Sequence, residues 1–210
     1  MKITVLGAGN MGSAFVKQLT RAGHQVTVTA RDHSKAQAVA AANPGAKAVS
    51  PEGAAEHAEL VIVATGYGDA VHALRSVGNL QGKVVIDITN PLTPDYMGLT
   101  VGHESSAAEE IAAAIPGAEV IKAFNTVFAQ VLSEGADFGD GRKVTVFIAG
   151  DSDRGKQTVR ELAQSMGFAT VDAGGLKNAR YLEPLAGLNI YLGYGAGLGT
   201  HIAPTWMQAA

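Results

Sequence analysis

The 210-residue sequence contains no cysteine, which excludes disulfide bonds, thiolate catalysis and zinc sites built on sulfur. This absence is typical of a reducing compartment, and we expect a cytoplasmic protein. Charged residues are few, at 17%, and a formal net charge of -3 predicts no basic surface that would bind a nucleic acid. The six histidines are scattered along the sequence, so we expect no metal site.

The sequence also lacks a convincing membrane segment. Its one long uncharged stretch, residues 184–210, approaches the length of a membrane span. The glycine, asparagine, tyrosine and proline residues of this stretch argue against a spanning helix, because such a helix needs a continuous apolar surface. We therefore expect no membrane partner.

Short apolar or β-branched runs alternate with segments of helical periodicity along the chain. The runs predict strands over 2–6, 25–29, 59–65, 83–89, 118–124, 143–150 and 168–174. The periodic segments predict helices over 11–24, 34–42, 69–76, 105–116 and 151–167, and a last helix from near Asn178. Such alternation predicts an α/β fold, a doubly wound Rossmann-type mainly parallel sheet. The length predicts one domain, 1–210, with 176–210 as a C-terminal extension.

The glycines form one informative motif, GAGNMG, directly after the first predicted strand. In this G-x-G-x-x-G pattern, Gly7 permits a tight turn, Gly9 lets the backbone approach a pyrophosphate, and Gly12 lets the helix pack closely on the strand. Asn10 and Met11 would begin the helix, whose N-terminus attracts phosphates. The motif and its strand–turn–helix context predict a dinucleotide site.

The sequence TARDHSK at the end of the second predicted strand indicates which dinucleotide binds. An acid at this strand end would bind the adenosine ribose of NAD, and here the position is Ala30, followed by Arg31. A guanidinium suits the 2′-phosphate of NADP, which would repel a carboxylate. Supporting hydroxyls and a second cation are offered by Thr29, Ser34 and Lys35.

Asp32 leaves an alternative open. It follows Gly12 by twenty residues, so a longer strand would place it as the ribose acid and would favour NAD.

The loops after the later strands are expected to line the rest of the site, because ligands of such sheets bind at the carboxyl ends of the strands. The residues predicted to contact the cofactor there are Ala64, Thr65, Gly66, Thr89, Asn90, Pro91 and Asn125. No strong acid/base group stands out, and only Asn125 and His103 are candidate catalytic residues. Hydride transfer to a flavin-like ring suits this composition, because stacking two rings in a dry site is its main requirement.

The segments GAGNMG, TARDHSK, ITNPL, HESSAAEEIAAAIPGAEVIKAFNTVFAQVL and VDAGGLKNARYLEPL give the chain a resemblance to a known family. Together they resemble the NADP-dependent coenzyme F-420 reductases and the related cytosolic domain of six-transmembrane metalloreductases. The resemblance implies a homodimer that binds NADP and exchanges hydride with coenzyme F-420 or a flavin. It implies 2′-phosphate contacts at Arg31 and Lys35, with Ala30 in place of the family's usual hydroxyl. By the resemblance, Asn125 replaces a family histidine and matches the metalloreductase branch.

Two other functions remain open on the sequence. One is an NADPH-dependent reductase of a small carbonyl or imine substrate. The other is a noncatalytic NADP-binding sensor, which the lack of an acid/base constellation motivates. The tract over residues 187–207 is predicted to pack as a partly irregular segment beside the second substrate or a dimer interface.

Overall fold

The structure, a computed structural model, describes residues 1–139 and 141–206. Its strands are β1 Lys2–Leu6, β2 Gln25–Thr29, β3 Ala46–Ala48, β4 Leu60–Val63, β5 Val84–Asp87, β6 Glu119–Lys122, β7 Thr145–Gly150 and β8 Ala169–Asp172. Its helices are α1 Asn10–Arg21, α2 His33–Ala42, α3 Tyr67–Ser76, α4 Ala107–Ala114, α5 Ala129–Glu134, α6 Asp153–Ser165 and α7 Ala179–Ile190. A 3₁₀ turn, Leu176–Asn178, precedes α7, and a π-helical turn, Tyr191–Gly195, follows it.

The strands form one sheet in the order β3-β2-β1-β4-β5-β6-β7-β8. Neighbouring strands are parallel except at β6 and β7, which pair antiparallel through Ile121 opposite Gly150 and Lys122 opposite Ala149. The prediction of a doubly wound, mainly parallel α/β sheet is confirmed. Because parallel strands end at the same edge, the loops after β1, β2, β4, β5 and β6 meet along one side of the molecule.

Helices cover both faces of the sheet, and the side chains of β4 alternate between the two cores. Leu60 and Ile62 point into the core that α1, α5 and α6 cover, whereas Val61 and Val63 point into the core under α3, α4 and α7. Alternate side chains of a strand face opposite sides of a sheet, so a strand buried on both faces is apolar throughout. This explains why residues 59–65, with the sequence ELVIVAT, do not alternate between polar and apolar side chains.

The structure differs from the sequence prediction in several elements. β3 was not predicted, because its sequence AKA has no β-branched or aromatic residue. The helix α5 was not predicted either, because its six residues are too few to show a helical period. The predicted strands 59–65, 83–89 and 118–124 are too long, since the observed strands end at Val63, Asp87 and Lys122.

The N-cap of α4 is Ser106. Its buried hydroxyl accepts a hydrogen bond from the Glu109 amide at 3.2 Å and donates one to Glu109 Oε2 at 2.7 Å. The guanidinium of Arg180 in α7 donates two further bonds to the same carboxylate, which lower the pKa of Glu109. The cap thus joins α4 to α7.

Replacing Ser106 with alanine is expected to lower the free energy of unfolding by about 1 kcal/mol, because α4 loses an N-cap acceptor. Ser105→Ala is the matched control, since its hydroxyl has no hydrogen-bond partner among the described residues. Urea unfolding monitored by circular dichroism measures both. Equal losses for the two variants would contradict the assignment of the cap.

Two further observations concern the residues that the structure describes. Across residues 1–139 and 141–206, no helix is both long and apolar enough to cross a membrane. Over the same ranges, no three His, Asp or Glu side chains gather as metal ligands would. The last four residues of the predicted 176–210 extension lie outside the described part of the chain.

Candidate functional site

The glycine motif forms the turn between β1 and α1, at the carboxyl edge of the sheet. Gly7 has a φ of 116°, and a Cβ added there would lie 2.3 Å from the carbonyl oxygen of Ala64. A Cβ on Gly12 would lie 2.0 Å from the carbonyl oxygen of Gly7. Larger residues would therefore push α1 away from the ends of β1 and β4.

Gly9 has a different environment, which suits a ligand. It precedes Asn10, the first residue of α1, and a Cβ added to it would meet no atom within 4 Å. The first amide groups of a helix have no partner within the helix, and they attract anions. The open space at Gly9 therefore fits a pyrophosphate, as the sequence motif predicts.

A first cavity, of about 400 Å³, lies beside the ends of β1 and β2. Thr29, Ala30 and Arg31 contribute to its wall on one side, and Thr65 and Asp69 on the other. The Arg31 side chain is 91% exposed, with Nη1 3.8 Å from Asp69 Oδ1. The Thr29 hydroxyl is buried and has no hydrogen-bond partner. A cation and an unpaired hydroxyl thus border the place predicted for the adenosine ribose.

Asp32 has a structural role at the start of α2. Its carboxylate accepts hydrogen bonds from the Ser34 amide at 3.1 Å and the Ser34 hydroxyl at 2.6 Å, and the hydroxyl bond lowers the pKa of Asp32. Since β2 ends at Thr29, the position of the ribose acid falls on Ala30. Ser34 and Lys35 are exposed in the first turn of α2 and do not line the first cavity. Their contact with a phosphate stays a prediction.

A second cavity, of about 270 Å³, lies beyond the start of α1, near the ends of β5 and β6. Its polar lining comes mainly from Asn10, Asn90 and Asn125, and its rim carries Tyr96 and Tyr194. The apolar residues that line it include Met11, Ile88, Phe124, Val127, Ala186 and Ile190. The glycine turn therefore has one cavity on each side, as a dinucleotide with two rings requires.

Asn90 and Asn125 hold each other at the second cavity. Asn90 Nδ2 donates to the Asn125 carbonyl at 3.0 Å, and Asn125 Nδ2 donates to Asn90 Oδ1 at 3.0 Å and to the Leu182 carbonyl at 2.9 Å. Asn125 Oδ1 is buried and has no hydrogen-bond partner, so one acceptor beside this cavity is unsatisfied. Phe124, just before Asn125, has the left-handed backbone conformation, with a φ of 61°.

A buried ionic cluster lies at the ends of β5 and β6, next to the second cavity. It was not predicted from the sequence. The Lys122 ammonium, which is 0% exposed, lies 2.8 Å from Asp87 Oδ2 and 2.7 Å from Glu183 Oε1, and it donates to the Thr89 carbonyl at 2.6 Å. Asp87 Oδ1 accepts from the Thr89 amide at 2.8 Å. The cluster thus fixes the backbone just before Asn90. The sequence does contain a signal for this cluster, because Asp87 in VVID and Lys122 in EVIK are charged residues in mainly apolar predicted strands.

Glu183 connects the cluster to the helices above it. Its carboxylate accepts hydrogen bonds from the amides of Ala107 and Ala108, at 3.0 and 3.2 Å, in the first turn of α4. Burial raises the pKa of Glu183, while Lys122 and the Ala107 amide favour its charged form. The carboxylate therefore links α7, α4 and β6 at one buried point.

The remaining predicted residues are dispersed. Ala64 packs against Gly7, Gly66 is the N-cap of α3, and the Pro91 carbonyl accepts a hydrogen bond from the Thr100 amide. His103 is exposed in the loop before α4, and it does not line the second cavity. Of the two candidate catalytic residues, the structure brings only Asn125 to the cavity.

Comparison with known proteins identifies the family. The family model described as NADP oxidoreductase coenzyme F420-dependent matches residues 2–91. A crystal structure from Arthrobacter sp. FB24, assigned as an F420-dependent NADP-reductase, has 30% sequence identity, a TM-score of 0.85 and 96% coverage of both chains. The chain belongs to the F420-dependent NADP oxidoreductase family. The suspected resemblance is confirmed, and the family places the chain among the NADP-dependent oxidoreductases.

Some curated relatives of the chain are longer proteins. Metalloreductase STEAP3 of Rattus norvegicus is 31% identical over 186 residues, which cover 88% of this chain and 36% of that protein. The chain thus spans about a third of the length of the curated relatives it matches. An imine reductase from Pseudomonas sp. has a TM-score of 0.68 over 93% of this chain and 62% of its own, and at 22% identity it shows the fold alone.

Proposed function

We propose that this NADP-dependent oxidoreductase transfers hydride between NADP(H) and a flavin or a deazaflavin of the coenzyme F-420 type. The observation that carries the proposal is the lining of the second cavity. None of the described residues that line it is Asp, Glu, His, Lys or Arg, whereas its rim exposes the rings of Tyr96 and Tyr194. Such a cavity can bind flat rings in contact, and it offers no strong acid or base.

The nucleotide would lie along the carboxyl edge, across both cavities. The glycine turn would bind the pyrophosphate, and Arg31, with Thr29, Ser34 and Lys35, would bind the 2′-phosphate. In the second cavity, Asn125 Oδ1, which is buried without a hydrogen-bond partner, would accept a hydrogen bond from a carboxamide and so orient the nicotinamide. When bound, NADPH supplies the hydride, and the chain excludes water through Met11 and the apolar floor.

The chemistry balances without an acidic side chain. The acceptor ring gains one hydride and one proton while NADPH becomes NADP⁺, and water at the open rim can provide the proton. The chain's part is therefore to bind two rings in contact and to orient them.

Anaerobic stopped-flow absorbance with NADPH tests the proposal. Coenzyme F-420, FMN, FAD and riboflavin serve as acceptors, with cyclohexanone plus an amine as the competing substrate. We expect NADPH oxidation with at least one of the ring acceptors. Failure with all four would reject the function.

A reductase of a small carbonyl or imine is the second candidate, because Tyr96 and Tyr194 carry phenolic hydroxyls that could donate a proton. Among the described residues that line the second cavity, threonine is the only other residue type with a side-chain hydroxyl. Loss of a proton donor costs a factor of about 10² to 10⁴ in rate. Tyr96→Phe and Tyr194→Phe should therefore leave flavin reduction nearly unchanged, while the corresponding alanine variants lose ring contact and slow it. Large losses in both phenylalanine variants would favour carbonyl or imine chemistry instead.

We further propose a single domain that acts as a cytoplasmic homodimer. The absence of cysteine supports the compartment. Exposed apolar side chains along α7 and the following turn, which are Tyr181, Leu188 and Tyr191, support association between copies. Sedimentation velocity of the wild-type protein and of Leu188→Glu measures the oligomeric state.

A further inference from the structure

A groove with polar and apolar residues continues the second cavity along the outside of α1. This groove, of about 570 Å³, has four lining residues in common with the second cavity: Asn10, Phe128, Ala129 and Tyr194. Phe128 and Tyr194 contact edge to face, with ring centroids 5.8 Å apart, and they mark the boundary between the two spaces. A ligand ring in the cavity could therefore extend a substituent into the groove without crossing the backbone.

The lining of the groove differs in chemistry from that of the cavity. Asn10, Ser13 and Lys17 lie on successive turns of α1, and Ser133 of α5 and Thr200 lie opposite. The side chains of Asn10 and Ser13 have no hydrogen-bond partner among the described residues. The groove therefore has hydroxyl and amide groups on its wall in addition to apolar residues such as Ala14 and Ala42.

Of the described residues that line the groove, Lys17 is the one that carries a charge. Its ammonium donates to the Ser133 hydroxyl at 3.3 Å, which leaves two of its three N–H groups for another partner. Lys17 follows Asn10 by seven residues, so the two are separated by about 10 Å along the helix. A chain of hydroxylated carbons that ends in a phosphate matches this order of groups.

We propose that the groove binds the tail of the acceptor, a ribityl-type polyol chain, with its phosphate at Lys17. The inference rests on the proposed function, because it places the acceptor ring in the second cavity. It makes Lys17 a specificity residue that distinguishes phosphorylated acceptors from the bare ring. FMN and coenzyme F-420 both carry a phosphate at the end of a ribityl chain, but they differ in the ring and in the phosphate, which is a monoester in FMN and a diester in coenzyme F-420.

The test compares lumiflavin, riboflavin and FMN, which add first the polyol and then the phosphate to one ring. Dissociation constants come from quenching of flavin fluorescence in the protein saturated with NADP⁺, and KM values come from NADPH oxidation. We expect affinity to rise along the series and Lys17→Ala to weaken FMN about tenfold or more, with lumiflavin unchanged. Arg21→Ala, one turn further along α1 and outside the groove, is the matched control.

The possible outcomes distinguish a failure of the groove assignment from a failure of the proposed function. Equal affinities for FMN and riboflavin in the wild-type protein, or an equal loss for lumiflavin in Lys17→Ala, would overturn the groove assignment. Reduction of all three flavins at equal KM would also overturn it and would leave the proposed function intact. Absence of turnover with every ring acceptor would reject the function, and the quenching series would still decide whether the groove binds the tail.

Discussion

Lys122→Met is expected to lower the free energy of unfolding by about 3 to 5 kcal/mol, because it leaves two buried carboxylates without their cation. Asp87 and Glu183 are 0% and 1% exposed, and both contact the Lys122 ammonium. Methionine has a similar length and is apolar, so the loss reflects charge rather than a cavity. For a chain of this size, each kcal/mol corresponds to about 2–4 °C in Tm.

Urea unfolding and thermal unfolding measure the change. Lys47→Met, at an exposed position in the edge strand β3, removes the same charge and should stay within about 0.5 kcal/mol of the wild-type value. The triple variant Lys122→Met, Asp87→Asn, Glu183→Gln should regain part of the loss, since no buried charge remains. Equal stability of Lys122→Met and Lys47→Met would show that the cluster does not stabilise the fold.

Arg31→Ala is expected to weaken NADPH binding by about 1.5 to 3 kcal/mol, a factor of roughly 10 to 150, and to leave NADH binding almost unchanged. The physical reason is the loss of charge-assisted hydrogen bonds to a 2′-phosphate, which NADH does not carry. Because Arg31 is paired only with exposed Asp69 at 3.8 Å, its removal should cost the fold little. Titration calorimetry with each nucleotide measures the difference.

Arg21→Ala is the control, since it removes an exposed arginine from the far end of α1. It should change the affinity for neither nucleotide. An equal loss of affinity for NADPH and NADH in Arg31→Ala would contradict a phosphate contact. A higher salt concentration should reduce the difference between the affinities of the wild-type protein for NADPH and NADH, because salt screens an exposed charge contact.

The fold could be predicted from the sequence because its signals are local. GAGNMG between a strand and a helix, and apolar runs such as ELVIVAT, each report on their own segment. The structure adds what tertiary contacts decide. Ala46–Ala48 becomes a strand only because β2 offers it a partner, and the reversal at β7 has no signature in the sequence.

The candidate site was predictable at its strand ends and less so elsewhere. Asn90 and Asn125 were selected because they follow buried strands, and the structure brings their side chains together. His103 was selected for its residue type alone, and it lies away from the second cavity. Lys17 was not recognised, because the partners of an isolated lysine on a helix depend on what packs beside it.

The reversal of β7 has a consequence for how ligands enter and leave. Because β7 and β8 run against the other strands, the chain leaves β8 away from the site and α7 returns to it, so Ala186 and Ile190 line the second cavity. Residues of α7 therefore line the same cavity as the residues that follow β5 and β6. We expect exchange of nucleotide and acceptor to require only local movements at the rim, on the nanosecond to microsecond scale of side chains and loops.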